Sequence, residues 1–243
     1  MSDKSDLRYF CNEVANEGLV RGSSGNASCR VEPNRMIVTE TGAWLGRDFY
    51  TPLCAIRPFR SLSDLYTPSS EAKAHAAIYE ARKDVRVILH FQSPYATTMA
   101  ASGRIHSDHR YGEINKEWSK HNGGESLFTD DHKMGNQRCD DFSTIPEIPY
   151  YIRSIGYIEQ FITPGSDDLA KKLRLHFSRG ENLVILANHG MFVVGKSYEE
   201  TLQRALFFEL ACQIKVNTLS MGIEFTPLTN STWIVEKEIN GRK

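Results

Sequence analysis

Long apolar runs are missing from this 243-residue chain. None approaches the roughly 18 consecutive apolar residues of a membrane span, which excludes an integral helical membrane protein. Excess charge of one sign is missing too: 29 Lys and Arg stand against 30 Asp and Glu, a formal net charge of −1. That balance argues against a bulk electrostatic hold on nucleic acid or on an anionic membrane. Trp44, Trp118 and Trp233 show none of the aromatic–basic interleaving that single-stranded nucleic acid requires. The five cysteines (Cys11, Cys29, Cys54, Cys139 and Cys212) are odd in number and widely spaced, with no CxxC pair. They make a poor disulfide framework and a poor structural zinc site, and read as reduced thiols, mostly in the core. The polar first residues lack the apolar heart of a signal peptide, which points to the cytoplasm. Without repeats or low-complexity linkers, residues 1–243 read as a single domain.

Helical and strand-like patterns alternate through the rest. Leu7, Phe10, Cys11 and Val14 fall on one face of a helix over 5–16, and the segment Gly22–Asn26 reads as a loop. Met36–Val38 is a short strand. A helix is expected over 70–82 with Ser69 or Ser70 as its cap, then a strand over 85–89 that stops at His90. Ser93-Pro94 starts another helix, and a further one follows Ser166. Leu183–Ala187 and Met191–Val194 read as strands joined by the tight turn Asn188-His189-Gly190. Ser197 and Glu200 form a capping box that opens a long helix. This interleaving indicates α/β or α+β. Residues 102–144 lack apolar periodicity and stand out as an irregular excursion, longer than a compact domain normally carries.

Two features point to chemistry. His90 and His189 stand where strands stop, and Glu71 opens a helix. Two imidazoles and a carboxylate make a facial set for Zn²⁺ or another divalent first-row metal, with positions left open for substrate. Two histidines that merely hydrogen-bond backbone would look the same in a sequence. The second feature is a group of short Gly/Ser/Thr loops: Ser24–Ser28, Thr39–Gly42 and Ser69–Glu71. Backbone amides and hydroxyls in such loops form an anion cradle without basic side chains.

Together these residues carry a resemblance. The motifs are Gly25-Asn26-Ala27-Ser28-Cys29-Arg30, Thr39-Glu40-Thr41-Gly42, Ser69-Ser70-Glu71 with His75 and Tyr79, and Leu89-His90-Phe91-Gln92-Ser93. Pro164-Gly165-Ser166 and Asn188-His189-Gly190 complete the set. In order and spacing they resemble the class II aldolase/adducin superfamily, of the L-fuculose-phosphate aldolase kind. The resemblance implies a three-layer α/β/α sandwich around a largely antiparallel central sheet. It also implies a homotetramer with sites between subunits, a bound Zn²⁺, and cleavage or formation of a C–C bond in a small ketose or ketose phosphate through an enediolate. By matching positions, Glu71, His90 and His189 become metal ligands, with Glu71 also moving a proton. Asn26, Thr41, Gly42, Ser69 and Ser70 would hold a substrate phosphate. Tyr150, in Ile145–Tyr150, inherits the place of a catalytic tyrosine.

Two positions depart from that pattern. The metal strand of the family reads His-x-His, whereas this chain has His90-Phe91-Gln92. Three readings stay open: Glu71, His90 and His189 hold the metal alone, Gln92 joins them directly or through water, or the site is lost as in adducin-like members. His106, His109, His121, His132 and Cys139 are further donors, though a polar segment often carries histidine for no special reason. Glu40 stands where the aldolases often have proline, and its carboxylate disfavours a phosphate dianion nearby. The expected activity is therefore a metal-dependent aldolase-like lyase. The alternatives are an epimerase, dehydratase or decarboxylase with the same enediolate chemistry, or a non-catalytic oligomeric protein. His75 and Glu209 read as structural residues.

Overall fold

The structure is a computed structural model that describes residues 3–102, 142–152 and 154–223. Residues 103–141 of the expected excursion, with His106, His109, His121, His132 and Cys139, lie outside the described residues. Eight strands form one sheet: β1 (Asn26–Glu32), β2 (Arg35–Val38), β3 (Leu53–Ala55), β4 (Arg60–Ser61), β5 (Val87–Phe91), β6 (Ile155–Ile158), β7 (Leu183–Leu186) and β8 (Gly190–Gly195). Among the described residues five α-helices accompany them: α1 (Asp3–Asn16), α2 (Ala72–Ala81), α3 (Pro94–Ala101), α4 (Asp167–Ser178) and α5 (Tyr198–Ser220). Across the sheet the order is β4-β3-β2-β1-β5-β8-β7-β6, and every neighbouring pair is antiparallel except β6 with β7.

Period-two alternation of side chains sends each strand's residues to opposite faces, and both faces are apolar. On one face Val87, Leu89 and Phe91 of β5 pack with Leu7 and Phe10 of α1, Met99 of α3 and Phe208 of α5. On the other, Ile88 packs with Ile78 and Tyr79 of α2 and with Leu173 and Phe177 of α4. A sheet buried on both sides needs apolar residues throughout its strands; β5, β7 and β8 are buried along their whole length. The result is the α/β/α sandwich with a largely antiparallel sheet.

Several local expectations hold. Ser166 Oγ accepts from Leu169 N, and Ser197 Oγ accepts from Glu200 N. Asn188 adopts φ 55° in the β7–β8 turn, where a short polar side chain tolerates the left-handed region. Others need correcting. His90 lies within β5 rather than closing a strand. Neither Ser69 nor Ser70 caps α2: Glu71 occupies that position without a side-chain cap bond, and Ser69 Oγ accepts from Glu71 N at 3.3 Å. The helix over 94–101 starts at Ser93-Pro94 as expected, but Ser93 does not cap it. Glu209 of α5 does so from across the layer, its carboxylate accepting from Ser93 Oγ (2.6 Å), Tyr95 N (3.0 Å) and Ala96 N (2.8 Å).

That carboxylate satisfies two free amides of α3 and sits at its positive end. Replacing Glu209 by Ala should cost about 2–3 kcal/mol, from lost charge-assisted bonds and exposed donors. Glu209→Gln, which keeps one acceptor, should cost less. Urea unfolding of the two variants checks this, and equal midpoints for Glu209→Ala and the parent chain would refute the capping role.

Candidate metal centre

The strand order places three sequence-distant segments side by side. In the antiparallel register Asn26 of β1 lies opposite His90 of β5, and His90 lies opposite Phe192 of β8. All three belong to the sheet face under α2. The residue just before α2 is Glu71, and the turn leading into β8 carries His189. Gly25 makes the approach of the first loop possible: its φ is +79°, and a Cβ there would lie 2.7 Å from the His90 carbonyl oxygen. No other residue fits that contact.

Glu71, His90 and His189 come together, with one donor atom from each lying within 4.8 Å of the others. His90 Nδ1 bonds the Met191 carbonyl at 3.0 Å. A carbonyl only accepts, so Nδ1 carries a proton, and the ring presents Nε2 to Glu71 Oε2, 3.3 Å away. Phe192 stacks on the same ring at 4.6 Å between centroids and holds its plane. His189 Nε2 lies 3.7 Å from Glu71 Oε1. Glu71 is only 4% exposed, yet its Oε1 is buried without a hydrogen-bond partner. An orphaned carboxylate oxygen facing two imidazole nitrogens out of water fits a bound cation.

The protonation states agree with this. Burial alone raises the Glu71 carboxyl, but the neighbouring His90, the Asn26 hydrogen bond and His189 together outweigh it and hold the group below its ordinary value. Burial, reinforced by His90 and opposed by Glu71, lowers His189 to about 4. Burial likewise lowers His75 to about 3. At neutral pH Glu71 is therefore a carboxylate, and His189 and His75 are neutral imidazoles.

Behind Glu71 runs a buried chain of polar groups. Asn26 Nδ2 donates to Glu71 Oε2 at 2.8 Å, and Asn26 Oδ1 meets His75 Nε2 at 2.6 Å. His75 Nδ1 meets Ser28 Oγ at 2.7 Å, and Ser28 Oγ lies 3.0 Å from the Tyr79 hydroxyl. Sequence reasoning read His75 as structural and missed Ser28. The available signals were the shared parity of Asn26 and Ser28 along β1 and the i, i+4 spacing of His75 and Tyr79 on α2.

In front of Glu71 opens a cleft of about 180 Å³, small beside the ~300–1,000 Å³ of a typical ligand pocket. Its walls include Asn26, Thr41, Gly42, Ser69, Ser70, Glu71, His90, Gln92 and His189, so nine of the ten expected site residues line one space. Ser69 N donates to Thr39 O and Thr41 N to Thr67 O, which lays the two polar loops side by side. Asn26 and Ser69 are buried at the base, while Thr41, Gly42 and Ser70 form the exposed rim. Gln92 follows His90 on the same face, and a Cβ on Gly190 would lie 2.8 Å from its Cγ. Glu40 also borders the cleft, with Oε1 accepting from Tyr50 N at 3.1 Å. Tyr150 is the residue that does not join. It sits on a π-helical turn at Ile148–Ile152, 39% exposed, with its ring against Tyr151.

Comparison with known proteins agrees with this picture. A 3-oxo-tetronate 4-phosphate decarboxylase from Haemophilus influenzae is 27% identical over 208 residues, 81% of this chain and 82% of that protein. An L-fuculose phosphate aldolase from Methanocaldococcus jannaschii is 26% identical over 205 residues, 80% and 84% of the two chains. Among solved structures, an L-fuculose 1-phosphate aldolase superimposes with a TM-score of 0.69 at 18% identity, covering 99% of this chain and 98% of its own. A sugar-phosphate aldolase from Thermotoga maritima gives 0.64 at 19% identity, covering 90% and 95%. Those identities establish the shared fold. The family described as Class II Aldolase and Adducin N-terminal domain matches residues 5–216, from α1 to the last turns of α5, and the chain belongs to that family.

Proposed function

We propose that this protein is a metal-dependent lyase that cleaves or forms a C–C bond in a small ketose phosphate, by the aldolase reaction through an enediolate. The observation that supports it is the meeting of Glu71, His90 and His189 around an orphaned carboxylate oxygen, at the base of a cleft walled by Gly/Ser/Thr loops. What a divalent cation supplies when bound there is Lewis-acid stabilisation of the charge that bond cleavage leaves on substrate oxygens. Glu71, His90 and His189 are the residues that would hold it. Zn²⁺ is the expected ion; Gln92, on the same wall, is a further donor through its amide oxygen.

The chain's own groups do the rest. Ser69, Ser70, Thr41 and Gly42 bind the phosphate end with neutral donors, and Asn26 joins them with the second N–H of the amide that already donates to Glu71. Glu71 moves the proton between substrate oxygen and carbon, because a carboxylate held ionised beside the reacting atoms is available as a base. Tyr150, exposed and outside this cleft, serves the cleft of a neighbouring copy: it takes the hydroxyl proton that the departing aldehyde gives up on cleavage and returns it to the aldehyde oxygen when the C–C bond forms. That assignment goes with a cytoplasmic homotetramer whose sites lie between subunits.

A second reading has specific support. The Haemophilus relative is by name a decarboxylase, and loss of CO₂ from a 3-oxo acid leaves negative charge at the same place as retro-aldol cleavage. The same Glu71, His90 and His189 serve both reactions.

Two experiments test these readings. The purified chain should carry about one divalent first-row metal per protomer by elemental analysis. Chelation or His189→Ala should remove that metal and lower activity by more than about 100-fold, since several kcal/mol of charge stabilisation are lost. A metal-free chain indifferent to chelator would overturn the enzyme reading in favour of a non-catalytic family member. For the reaction type, sugar phosphates and phosphorylated 3-oxo sugar acids are offered in parallel, with aldehyde and CO₂ measured separately. Aldehyde release is expected; CO₂ without aldehyde would establish the decarboxylase instead.

A further inference from the structure

The hydrogen-bond chain behind the centre has a sense, and that sense is forced. The Glu71 carboxylate offers acceptors. Asn26 must therefore present its Nδ2–H₂ end to Glu71 Oε2 and its carbonyl to His75. A carbonyl cannot donate, so the proton between them belongs to His75 Nε2. A neutral imidazole with Nε2 protonated has a bare Nδ1, so the 2.7 Å contact from Ser28 is an O–H···N bond with serine as donor. Each step leaves one choice for the next.

An asparagine amide is nearly symmetric in shape, so only its partners decide which end faces which way. Turned over, its oxygen would stand 2.8 Å from a buried carboxylate oxygen, two acceptors in contact where no water relieves them. We propose that His75 is a positioning residue of the metal centre: its Nε2–H holds Asn26 in the orientation that donates to Glu71 Oε2 and leaves Oε1 to the cation. His75 touches neither metal nor substrate. It acts through Asn26, and it is itself locked by Ser28 and by the fully buried packing of α2 on the sheet, where its ring meets Phe192 edge-on at 5.5 Å. The inference rests on the proposed reading of Glu71 as a metal ligand. Groups behind a ligand that fix its orientation change metal affinity by about 10–100-fold when removed.

The test is a Co²⁺ titration of the full chain, read by calorimetry and by the visible absorption of the bound ion, on the parent protein, His75→Leu, His75→Gln and Ser28→Ala. Circular dichroism confirms that each variant is folded. His75→Leu should weaken Co²⁺ binding by about 10–100-fold and alter the absorption bands. His75→Gln, whose amide offers a donor to Asn26 and an acceptor to Ser28, should recover most of the affinity and the parent spectrum. Ser28→Ala, a smaller change, should fall between and carries the test if His75→Leu does not fold. A second readout needs no metal: the ¹⁵N shifts of His75 in the metal-free parent should report Nε2 protonated and Nδ1 bare. Folded variants with parent affinity and spectrum, or the opposite tautomer, would overturn the proposal while metal uptake by the parent stands. A parent chain that takes up no Co²⁺ would overturn the proposed function and this proposal with it.

Discussion

A carboxylate buried between two imidazoles is the constraint on which the rest of this molecule depends. Taking the charge of Glu71 out of water costs several kcal/mol unless it is paired and hydrogen-bonded, and one donor, Asn26 Nδ2, is all that the described protein provides at hydrogen-bond distance. His90 donates through Nδ1 to the Met191 carbonyl, which leaves its Nε2 facing the carboxylate. Burial in turn keeps His189 from gaining a charge at neutral pH. A well-packed structural core would not leave a carboxylate oxygen orphaned beside two imidazole nitrogens. The arrangement is under-satisfied as a hydrogen-bond network and has the donor set of a cation site.

The sheet makes that geometry by adjacency rather than by loop folding. His90 sits on the central strand of the trio β1-β5-β8, so residues 26, 90 and 192 are cross-strand neighbours on one face. Their positions inherit the rigidity of a ladder that is buried on both sides. Glu71 and His189 are then delivered by the start of α2 and the β7–β8 turn, both pinned to the same ladder. Arg30 helps to fix α2 from its far end: its guanidinium donates to the carbonyls of Tyr79 and Arg82, where the last turn runs out of helical partners. The last residue of the GNASCR motif thus anchors the opposite end of the helix from the one that carries Glu71.

How much of this is legible in the sequence follows from which interactions are local. Helix starts at Ser166 and Ser197 depend on side chains within three residues, and both are read correctly. The β7–β8 hairpin is two apolar runs around an Asn-containing turn, again a local signal. The short strands Leu53–Ala55 and Arg60–Ser61 carry too few residues for alternation to register, and Ile155–Ile158 pairs in parallel with a strand almost thirty residues away, so none of the three is visible beforehand. The cap on α3 escapes for the same reason: Ser93 is the local candidate, but the carboxylate of Glu209, more than a hundred residues distant, outcompetes it. In the site, Glu71, His90 and His189 are readable as a set only because the motifs come in a family's order. Their spacing alone is as compatible with two backbone-bonded histidines. His75 is hidden because its partners lie on a different element, and a buried histidine looks structural until the direction of its hydrogen bonds is followed.

The division between the base and the rim of the cleft bears on how one scaffold hosts different cleavages. On the proposed reading the groups that would face developing charge, Glu71 and His90 with Asn26 beside them, are buried and mutually locked. Any substitution there disturbs a hydrogen-bond sequence in which each orientation dictates the next. The groups that would meet the remainder of a substrate, Thr41, Gly42 and Ser70, are exposed and held by backbone bonds such as Thr41 N to Thr67 O. Thr41 and Ser70 tolerate change at little cost to the fold, whereas Gly42, at φ +73°, takes a side chain only with strain. Retro-aldol cleavage and loss of CO₂ make the same demand on the base, since both leave an electron pair beside an oxygen-bearing carbon. They differ in what departs: an aldehyde, whose oxygen gives up a hydroxyl proton as it leaves, or CO₂, which departs from a carboxylate with no proton to lose. On the proposed reading the distinction between these chemistries therefore belongs to the rim and to whatever proton-transfer group reaches it, and a change of reaction requires no change in the buried carboxylate.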